Sequence, residues 1–340
     1  MTGRERVIRA LQFKYPDRAP RHLCTLPAVR LFRKKEVDAL LQEFPLDFRV
    51  IAHREEAYGP SKRAKGSNEK VGWYVDPWGC VWETKQAGII GEVKDPILKD
   101  SSSIDSYSPP WELLEGMKFD LIAKIYETTD KFVLATTETR PFERMQFLMG
   151  TENVLIGLAT NDSSVLKLLN KIHEFFVQEM KLWANAKVDG VSFMDDWGTQ
   201  RSLIISPEMW RKLFKPLYAE YVSILHSRGK YAFFHTDGNV ESIFGDFIEI
   251  GFDAVNSQLF CMNIEALASA YKGRITFWGE IDRQWVLPFG TPSDVRQAVM
   301  RVRRALDDGS GGVIAQCEWG IRDPAENIAT VFKTWLEPMK

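Results

Sequence analysis

The chain has 340 residues, of which 45% are hydrophobic and 26% charged, and its formal net charge is −2. These proportions are typical of a soluble globular enzyme, and a chain of this length can bury a large core. Because no long run of one charge occurs, neither nucleic acid nor an anionic membrane surface is expected as a partner. No apolar run is long enough to cross a membrane, and the charged N-terminus lacks an apolar signal core, so we expect a cytoplasmic protein.

The four cysteines are scattered along the chain and form no CxxC pair. A disulfide framework is therefore not expected, and free thiols in a reducing compartment fit the pattern better. They are Cys24, Cys80, Cys261 and Cys317.

The first 110 residues are irregular in pattern. Pro16 and Pro20 end a first helix, and Asp76 with Pro77 starts a turn between two strand-like segments. The predicted elements are helices over 3–13 and 27–43, a polar loop over 62–70 and a hairpin over 73–83.

From about residue 111 the pattern becomes regular, because short apolar segments alternate with amphipathic ones. In the longest predicted helix Ser206 is the N-cap, Gly229 ends the helix, and Pro216 is expected to kink or split it. Thr291 is the N-cap of the last predicted helix. The predicted helices cover 111–129, 141–148, 163–186, 206–229 and 291–308, and the predicted strands 131–138, 188–196, 230–238, 252–258, 274–280 and 311–319.

This alternation is typical of parallel βα units, and the apolar strands indicate a sheet covered on both faces. We find no glycine-rich dinucleotide fingerprint, which disfavours an open nucleotide-binding sheet. We therefore predict an α/β protein, a (β/α)8 TIM barrel with an N-terminal irregular and helical extension. The whole chain, 1–340, is predicted to form one domain, with 1–110 supplying the extension and the first barrel elements and 111–340 the regular βα units.

The active site of such a barrel lies where strands end and loops begin. Nearly every predicted strand ends in a polar, ionisable or metal-binding side chain, which favours one shared site. These residues are Glu138, Asp195, Asp196, His235, Asp237, Gln258, Glu280, Asp282, Cys317 and Glu318.

Histidine, cysteine and carboxylate are the ligand types of zinc, and a catalytic zinc takes three protein ligands and an open position. We therefore predict a zinc site made by His235, Glu280 and Cys317, with Asp237 an open candidate for a further ligand.

Each of these residues also has a simpler interpretation. Cys317 could be a small buried hydrophobe, and His235 a core histidine with its hydrogen bonds satisfied. Glu280 could pair with Arg283, and Asp237 could make a turn with Gly238. The pattern alone leaves these alternatives open.

At these residues the sequence resembles the uroporphyrinogen decarboxylase superfamily, and the likeness covers nearly the whole chain. The resemblance implies a (β/α)8 barrel and one of two chemistries: decarboxylation of a porphyrinogen without a cofactor, or zinc-dependent methyl transfer to or from a corrinoid. The segments that carry it are RERVIRAL followed by DRAP (4–20), GWYVDPWGCVW (72–82), PFERMQFLMGTENVL (141–155), DDWGTQRSLIISPEMWRKLFKPLYAEY (195–221), HTDGN (235–239) and FWGEIDRQWVLPFGTPSDVR (277–296).

The corrinoid branch that methylates coenzyme M holds zinc with a His-x-Cys pair and a distant second cysteine. His235 matches the histidine and Cys317 matches the distant cysteine, but Asp237 stands where the first cysteine would be. The decarboxylase branch carries an arginine-rich segment for its substrate carboxylates, which the segment 20–34 lacks. The resemblance therefore favours the corrinoid branch, with a harder ligand set that suits an oxygen substrate.

We accordingly predict a zinc-dependent methyltransferase that moves a methyl group from a small methoxylated compound, such as an aryl methyl ether, or from a methylated one to the cobalt of a corrinoid protein. The direction of transfer and a homodimeric state are left open. The alternatives are a decarboxylase, a methylcobalamin:thiol methyltransferase and a non-catalytic binding module.

The remaining predicted site residues have two roles. Asp195, Asp196 or Glu138 could donate a proton or orient the substrate. An aromatic pocket for the methyl donor is predicted from Trp73, Trp78, Trp197, Trp278 and Gln258.

Overall fold

The structure is a computed structural model that describes residues 1–67, 69–99 and 101–338. Eight parallel strands form a nearly closed barrel sheet, in the order β1-β11-β10-β9-β8-β7-β6-β2, which confirms the predicted (β/α)8 architecture. Three further strands, β3, β4 and β5, form a separate antiparallel sheet. The strands are β1 Arg21–Thr25, β2 Phe48–Ile51, β3 Gly72–Val75, β4 Val81–Thr84, β5 Glu92–Asp95, β6 Phe132–Thr136, β7 Gly190–Met194, β8 Tyr231–Thr236, β9 Ala254–Ser257, β10 Thr276–Trp278 and β11 Val313–Trp319.

Helices follow the barrel strands and cover the outside of the sheet. Within the described residues, no helix combines the length and apolar character that a membrane span requires. The helices are α1 Gly3–Leu11, α2 Pro27–Phe32, α3 Lys34–Glu43, α4 Glu112–Glu115, α5 Phe119–Glu127, α6 Pro141–Met149, α7 Thr151–Thr160, α8 Ser163–Asn185, α9 Pro207–Leu213, α10 Lys215–His226, α11 Phe244–Ile250, α12 Ile264–Tyr271, α13 Val286–Phe289, α14 Pro292–Leu306 and α15 Ala325–Trp335.

The hydrophobic core has two layers, because successive residues of a strand point to opposite faces of the sheet. The inner layer fills the barrel with side chains such as Phe132, Phe233 and Ile314, and Val7 and Leu11 of α1 pack against it. The outer layer lies between the strands and the surrounding helices. The layer to which a strand residue belongs therefore decides whether its side chain can reach the inside of the barrel.

A buried carboxylate joins the two edge strands, β1 and β2. The backbone N–H of Asp47 donates to the carbonyl of Arg21 at 3.1 Å, and the Asp47 carboxylate accepts from the Arg21 N–H at 2.6 Å. Arg6 and Arg18 complete its contacts, at 2.6 and 2.7 Å. Asp47 thus bridges the gap in the barrel sheet.

Several predicted helices are divided in the structure. The predicted helix 27–43 is wrong at Arg33, where the backbone is not helical and α2 is separated from α3. The Arg33 guanidinium donates to the carbonyl of Asp323 at 2.6 Å. The predicted helix 111–129 breaks at Gly116, which lies so close to Gly59 that a Cβ would be 2.6 Å from its Cα. The hairpin over 73–83 is confirmed as β3 and β4, whereas β5 and α7 were not predicted.

The segment predicted as one long helix, 206–229, is split into α9 and α10, as the position of Pro216 indicated. Ser206 caps α9, because its hydroxyl accepts the backbone N–H of Met209 at 3.1 Å. We expect Ser206→Ala to lower the free energy of unfolding by about 1 kcal/mol, since the first turn loses an acceptor.

Urea denaturation followed by circular dichroism measures this change. Ser223→Ala is the matched control, because Ser223 is exposed within α10 and only its backbone carbonyl, which the substitution keeps, takes part in the C-cap. It should change the free energy of unfolding by less than about 0.5 kcal/mol. Equal effects of the two substitutions would contradict the capping role.

Candidate metal centre at the mouth of the barrel

Three side chains converge at the carboxyl ends of neighbouring strands: Asp196 follows β7, His235 lies in β8, and Asp237 follows it. One candidate ligand atom from each lies within 4.8 Å of the other two. The Nε2 atom of His235 is 3.5 Å from Oδ1 of Asp237 and 3.8 Å from Oδ1 of Asp196. Within the described residues this is the group of histidine, cysteine and carboxylate side chains that could hold a metal ion.

The orientation of the His235 ring is fixed by Asn256 on the next strand. The amide nitrogen of Asn256 donates to the carbonyl of Trp278 and to Oε1 of Gln316, so its oxygen faces His235 Nδ1 at 2.5 Å. This oxygen can only accept, so Nδ1 carries a hydrogen, and in the neutral ring Nε2 keeps the lone pair that a metal ion needs. A partner that fixes the second ring nitrogen in this way is typical of metal-binding histidines.

The carboxylates beside Nε2 are poorly satisfied by the protein itself. Oδ1 of Asp237 is buried and has no hydrogen-bond partner within the described residues, while its Oδ2 pairs with Arg283. Oδ1 of Asp196 accepts the backbone N–H of Asp237 at 2.9 Å. An unpartnered carboxylate oxygen beside an imidazole lone pair is what a divalent cation would satisfy, so these three residues fit a metal ion.

The electrostatics agree with a cation site. Burial of His235 would lower the pKa of its ring, but the carboxylates of Asp196 and Asp237 outweigh this effect and raise the pKa. Burial likewise raises the pKa of Asp196. Two half-buried carboxylates thus lie next to one half-buried imidazole.

Glu280 and Arg283 lie beside this centre. Glu280 is 2% exposed, and burial raises its pKa to about 8. Arg283 contacts three carboxylates, those of Asp237, Glu318 and Glu280, the last at 3.6 Å. The alternative in which Glu280 pairs with Arg283 is therefore confirmed, and Glu280 is not one of the three converging residues.

Cys317 belongs to the other face of the sheet. In β11 the side chain of Ile314 fills the inside of the barrel, so alternation places Gln316 and Glu318 on the same face and Cys317 on the outer one. Cys317 is fully buried in the apolar layer beneath the helices, and burial raises the pKa of its thiol well above the usual value. The structure does not bring the predicted Cys317 ligand to His235.

Two of the three predicted proton-transfer residues are fully engaged elsewhere. The Asp195 carboxylate accepts the backbone N–H groups of Phe142 and Glu143 and the hydroxyl of Tyr218, at 2.7 to 2.8 Å. It thus caps the first turn of α6. Asp196 is the one of the three that lies in the metal centre.

Glu138 lies in a buried ionic cluster with His53, Arg54 and Arg144. Burial would raise the pKa of Glu138, but Arg54, His53 and Arg144 outweigh it and hold the pKa well below the usual value. A carboxylate that stays ionised cannot donate a proton, which contradicts the predicted proton donation by Glu138 and leaves its role in orienting the substrate a prediction.

The predicted tryptophans do not form a pocket. Trp73 is 59% exposed on β3, and Trp78 is fully buried against the guanidinium of Arg144. Trp197 stacks on Phe142 in the outer layer, and Trp278 lies in the inner layer of the barrel. Gln258 does line a cavity near the metal centre, together with Trp285, which was not predicted.

The sequence analysis also missed Asn256 as a site residue. Its signal was visible, because an amide directly after the apolar pair Ala254 and Val255 of a predicted barrel strand needs a hydrogen-bond partner once it is buried. Arg283 was considered only as a partner of Glu280, although it also reaches Asp237.

Comparisons with known proteins agree with this architecture. A solved structure described as a methyltransferase from Methanosarcina mazei superposes with a TM-score of 0.71 at 13% identity, covering 98% of both chains. A glycosylated endo-beta-1,4-xylanase of glycoside hydrolase family 10 from Gloeophyllum trabeum superposes with a TM-score of 0.47 at 11% identity, covering 97% of this chain and 99% of the xylanase. At 13% identity the likeness to the methyltransferase structure shows the fold alone, and no curated protein matches the sequence.

The sequence profile of uroporphyrinogen decarboxylase matches residues 78–337, which is most of the chain and includes every residue of the metal centre. The chain belongs to the uroporphyrinogen decarboxylase family.

Proposed function

We propose that this chain is a zinc-dependent methyltransferase that moves a methyl group from a small methoxylated compound, an aryl methyl ether, to the cobalt of a separate corrinoid protein. The observation that carries the proposal is the convergence of the His235 lone pair with the unpartnered oxygen of Asp237 and with Asp196. A nitrogen and carboxylate oxygens suit zinc bound for catalysis, and they favour an oxygen substrate over a thiol.

The residues of the chain divide the work at this site. His235, Asp196 and Asp237 hold the cation, Asn256 fixes the ring, and Arg283 holds the second oxygen of Asp237. Zinc bound there would act as a Lewis acid on the ether oxygen, which otherwise makes a poor leaving group. Methyl transfer to a cobalt(I) brought by the partner protein would break the C–O bond, and the aryl oxide would leave with the electron pair of that bond and take a proton from water.

The charges around the site favour this chemistry over decarboxylation of a porphyrinogen. Three carboxylates contact the guanidinium of Arg283, namely those of Asp237, Glu280 and Glu318, and a fourth, that of Asp196, lies beside His235. The site therefore has no excess of cationic side chains to bind a substrate with several carboxylates. The match in fold to a protein described as a methyltransferase supports the same choice.

The proposal predicts metal-dependent methyl transfer that can be followed directly. With zinc, a corrinoid protein reduced to cobalt(I) and 2-methoxyphenol, we expect methylcobalt to appear in the absorbance spectrum and catechol in equal amount by chromatography. Removal of the metal with a chelator should abolish both products, and added zinc should restore them. Unchanged turnover of the metal-free protein would reject the metal centre, and release of carbon dioxide from a porphyrinogen would reject methyl transfer.

A further inference from the structure

A small cavity lies between the loop that follows β9 and the loop that follows β10. Its volume is about 130 Å³, and its walls include Gln200, Gln258, Cys261, Arg283 and Trp285. It is distinct from the three ligands of the metal centre, none of which lines it.

The cavity nevertheless adjoins the metal centre through two of its walls. Arg283 pairs with the carboxylate of Asp237, and Oε1 of Gln258 accepts the backbone N–H of Gly238 at 3.2 Å. A molecule in the cavity therefore lies one side chain away from the Asp237 ligand.

Hydrogen bonds to the side-chain oxygens of Gln258 and Gln200 fix which amide atoms on the wall remain free for a ligand. Oε1 of Gln258 is held by Gly238 and also by the thiol of Cys261 at 3.4 Å, and Oε1 of Gln200 faces the same thiol at 3.7 Å. The thiol has one hydrogen, and because Gly238 already donates to Gln258 Oε1, the thiol can donate to Gln200 Oε1. The two amide nitrogens are then the groups left for a ligand. They donate hydrogen bonds, so the ligand must offer an acceptor.

The charged residues on the walls disfavour both anionic and cationic ligands. Asp282 and Glu280 line the cavity, and the positive charge of Arg283 is already matched by Asp237 and Glu318, so an anion gains nothing there. Amide donors and a guanidinium disfavour a cation equally. An uncharged molecule with an oxygen acceptor fits best.

The rim and the size of the cavity point to a ring. Trp285 is 70% exposed at the rim, its backbone N–H is held by Asp282 at 3.0 Å, and the exposed ring of Phe289 lies 6.1 Å from it. Exposed aromatic side chains beside a cavity are typical of ligand sites. A cavity of roughly 150 Å³ accommodates benzene, so this one, at about 130 Å³, is far too small for a tetrapyrrole and takes at most one ring, whose substituents extend out of the open rim.

We propose that this cavity binds the ring of the methyl donor and selects an uncharged molecule of one substituted ring, held through one oxygen by the amide nitrogens of Gln200 and Gln258 and covered by Trp285, with its methoxy group directed past Arg283 toward the metal centre. The proposal rests on the proposed function only in identifying the bound molecule as the methyl donor.

Isothermal titration calorimetry of the zinc-loaded protein tests the site without any corrinoid. We expect one 2-methoxyphenol per chain, at least tenfold weaker binding of the anion 4-hydroxy-3-methoxybenzoate, and none of tetramethylammonium. Gln258→Leu should weaken binding of 2-methoxyphenol about tenfold, since one hydrogen bond is lost. Gln297→Leu, an exposed site on α14, is the matched control and should bind as the native chain does.

Two further variants test the location of the site. Cys261→Phe fills the cavity and should abolish binding, and Trp285→Ala, at an exposed position that does not threaten folding, should weaken it several-fold. Circular dichroism and zinc content check that both variants are folded. Tighter binding of either ion, or unchanged affinity in both variants, would overturn the proposal.

The same variants separate this proposal from the proposed function. Methyl transfer from 2-methoxyphenol that survives in Cys261→Phe would reject the cavity and leave the methyltransferase standing. Binding that follows the expected pattern without any transfer to cobalt would keep the cavity and reject the methyltransferase.

Discussion

Replacing His235 by alanine is expected to leave the purified protein without its metal, whereas Cys317→Ala is expected to retain it. The Nε2 lone pair of His235 is the one nitrogen ligand of the centre, and the Asp196 and Asp237 carboxylates alone form a weak, open site. Methyl transfer should fall on the order of a thousandfold in His235→Ala, because the Lewis acid is lost.

Metal analysis of the purified variants decides whether His235 and Cys317 are each ligands of the zinc ion. Zinc per chain should be near zero in His235→Ala and unchanged in Cys317→Ala, whose sulfur lies in the outer layer. His226→Ala is the matched control, because His226 is exposed and pairs with Asp253 away from the barrel mouth. Loss of zinc from Cys317→Ala would restore Cys317 as a ligand and contradict the assignment of Asp196.

The sequence located the site because the polar ends of parallel strands must meet at one edge of the barrel. That rule needs only the order of strands and loops, and it correctly brought His235 next to Asp237. The rule does not say whether a residue inside a strand points to the inside of the barrel or to the outer helices. From Ala315 onward the segment 311–319 alternates, with Ala315, Cys317 and Trp319 on one face and Gln316 and Glu318 on the other, so its pattern already indicated that Cys317 and Glu318 point to opposite faces.

Local sequence patterns also reveal less of the first third of the fold. The three-stranded antiparallel sheet lies between β2 and α4 in the chain and interrupts the alternation of strand and helix. The short strands β1 and β2 therefore stood out less than the six later ones, although β1 pairs with β11 over five residues. Their pairing depends on Asp47 and its three arginine contacts, which no local pattern shows.

Glu138 shows how distant residues change the role of a strand end. Its position after β6 matches that of a catalytic acid, but His53 and Arg54 arrive from the loop after β2, and Arg144 arrives from α6. Only the folded chain brings these three groups onto one carboxylate. The result is a structural ionic cluster beneath the mouth of the barrel.

Replacing Arg144, which joins Glu138 of that cluster to Asp76, should be the most damaging single change to stability. Arg144 is 1% exposed and lies between Asp76 Oδ2 at 3.0 Å and Glu138 Oε2 at 2.7 Å, with its guanidinium 4.5 Å from the ring centroid of Trp78. Arg144→Leu keeps the apolar packing but leaves two buried carboxylates without their shared partner. We expect the free energy of unfolding to fall by about 3–5 kcal/mol.

Urea denaturation at pH 7 measures this loss, and Arg296→Leu is the control. Arg296 pairs with Glu337 on the surface, with 53% of its side chain exposed, so its loss should cost at most about 1 kcal/mol. If Arg144→Leu cost no more than the control, the buried cluster would not contribute to stability.

The pH dependence gives this prediction a second test. The cluster lowers the pKa of Glu138 in the folded chain, so its contribution is present above the unfolded pKa of about 4.3 and is lost as the pH falls through the folded pKa. In Arg144→Leu one of the groups that lower this pKa is gone, so Glu138 takes up a proton at a higher pH. The stability difference between the native chain and the variant should therefore shrink as the pH is lowered from 7 toward 4, and a difference that grows would show that the carboxylates are not the groups left unpaired.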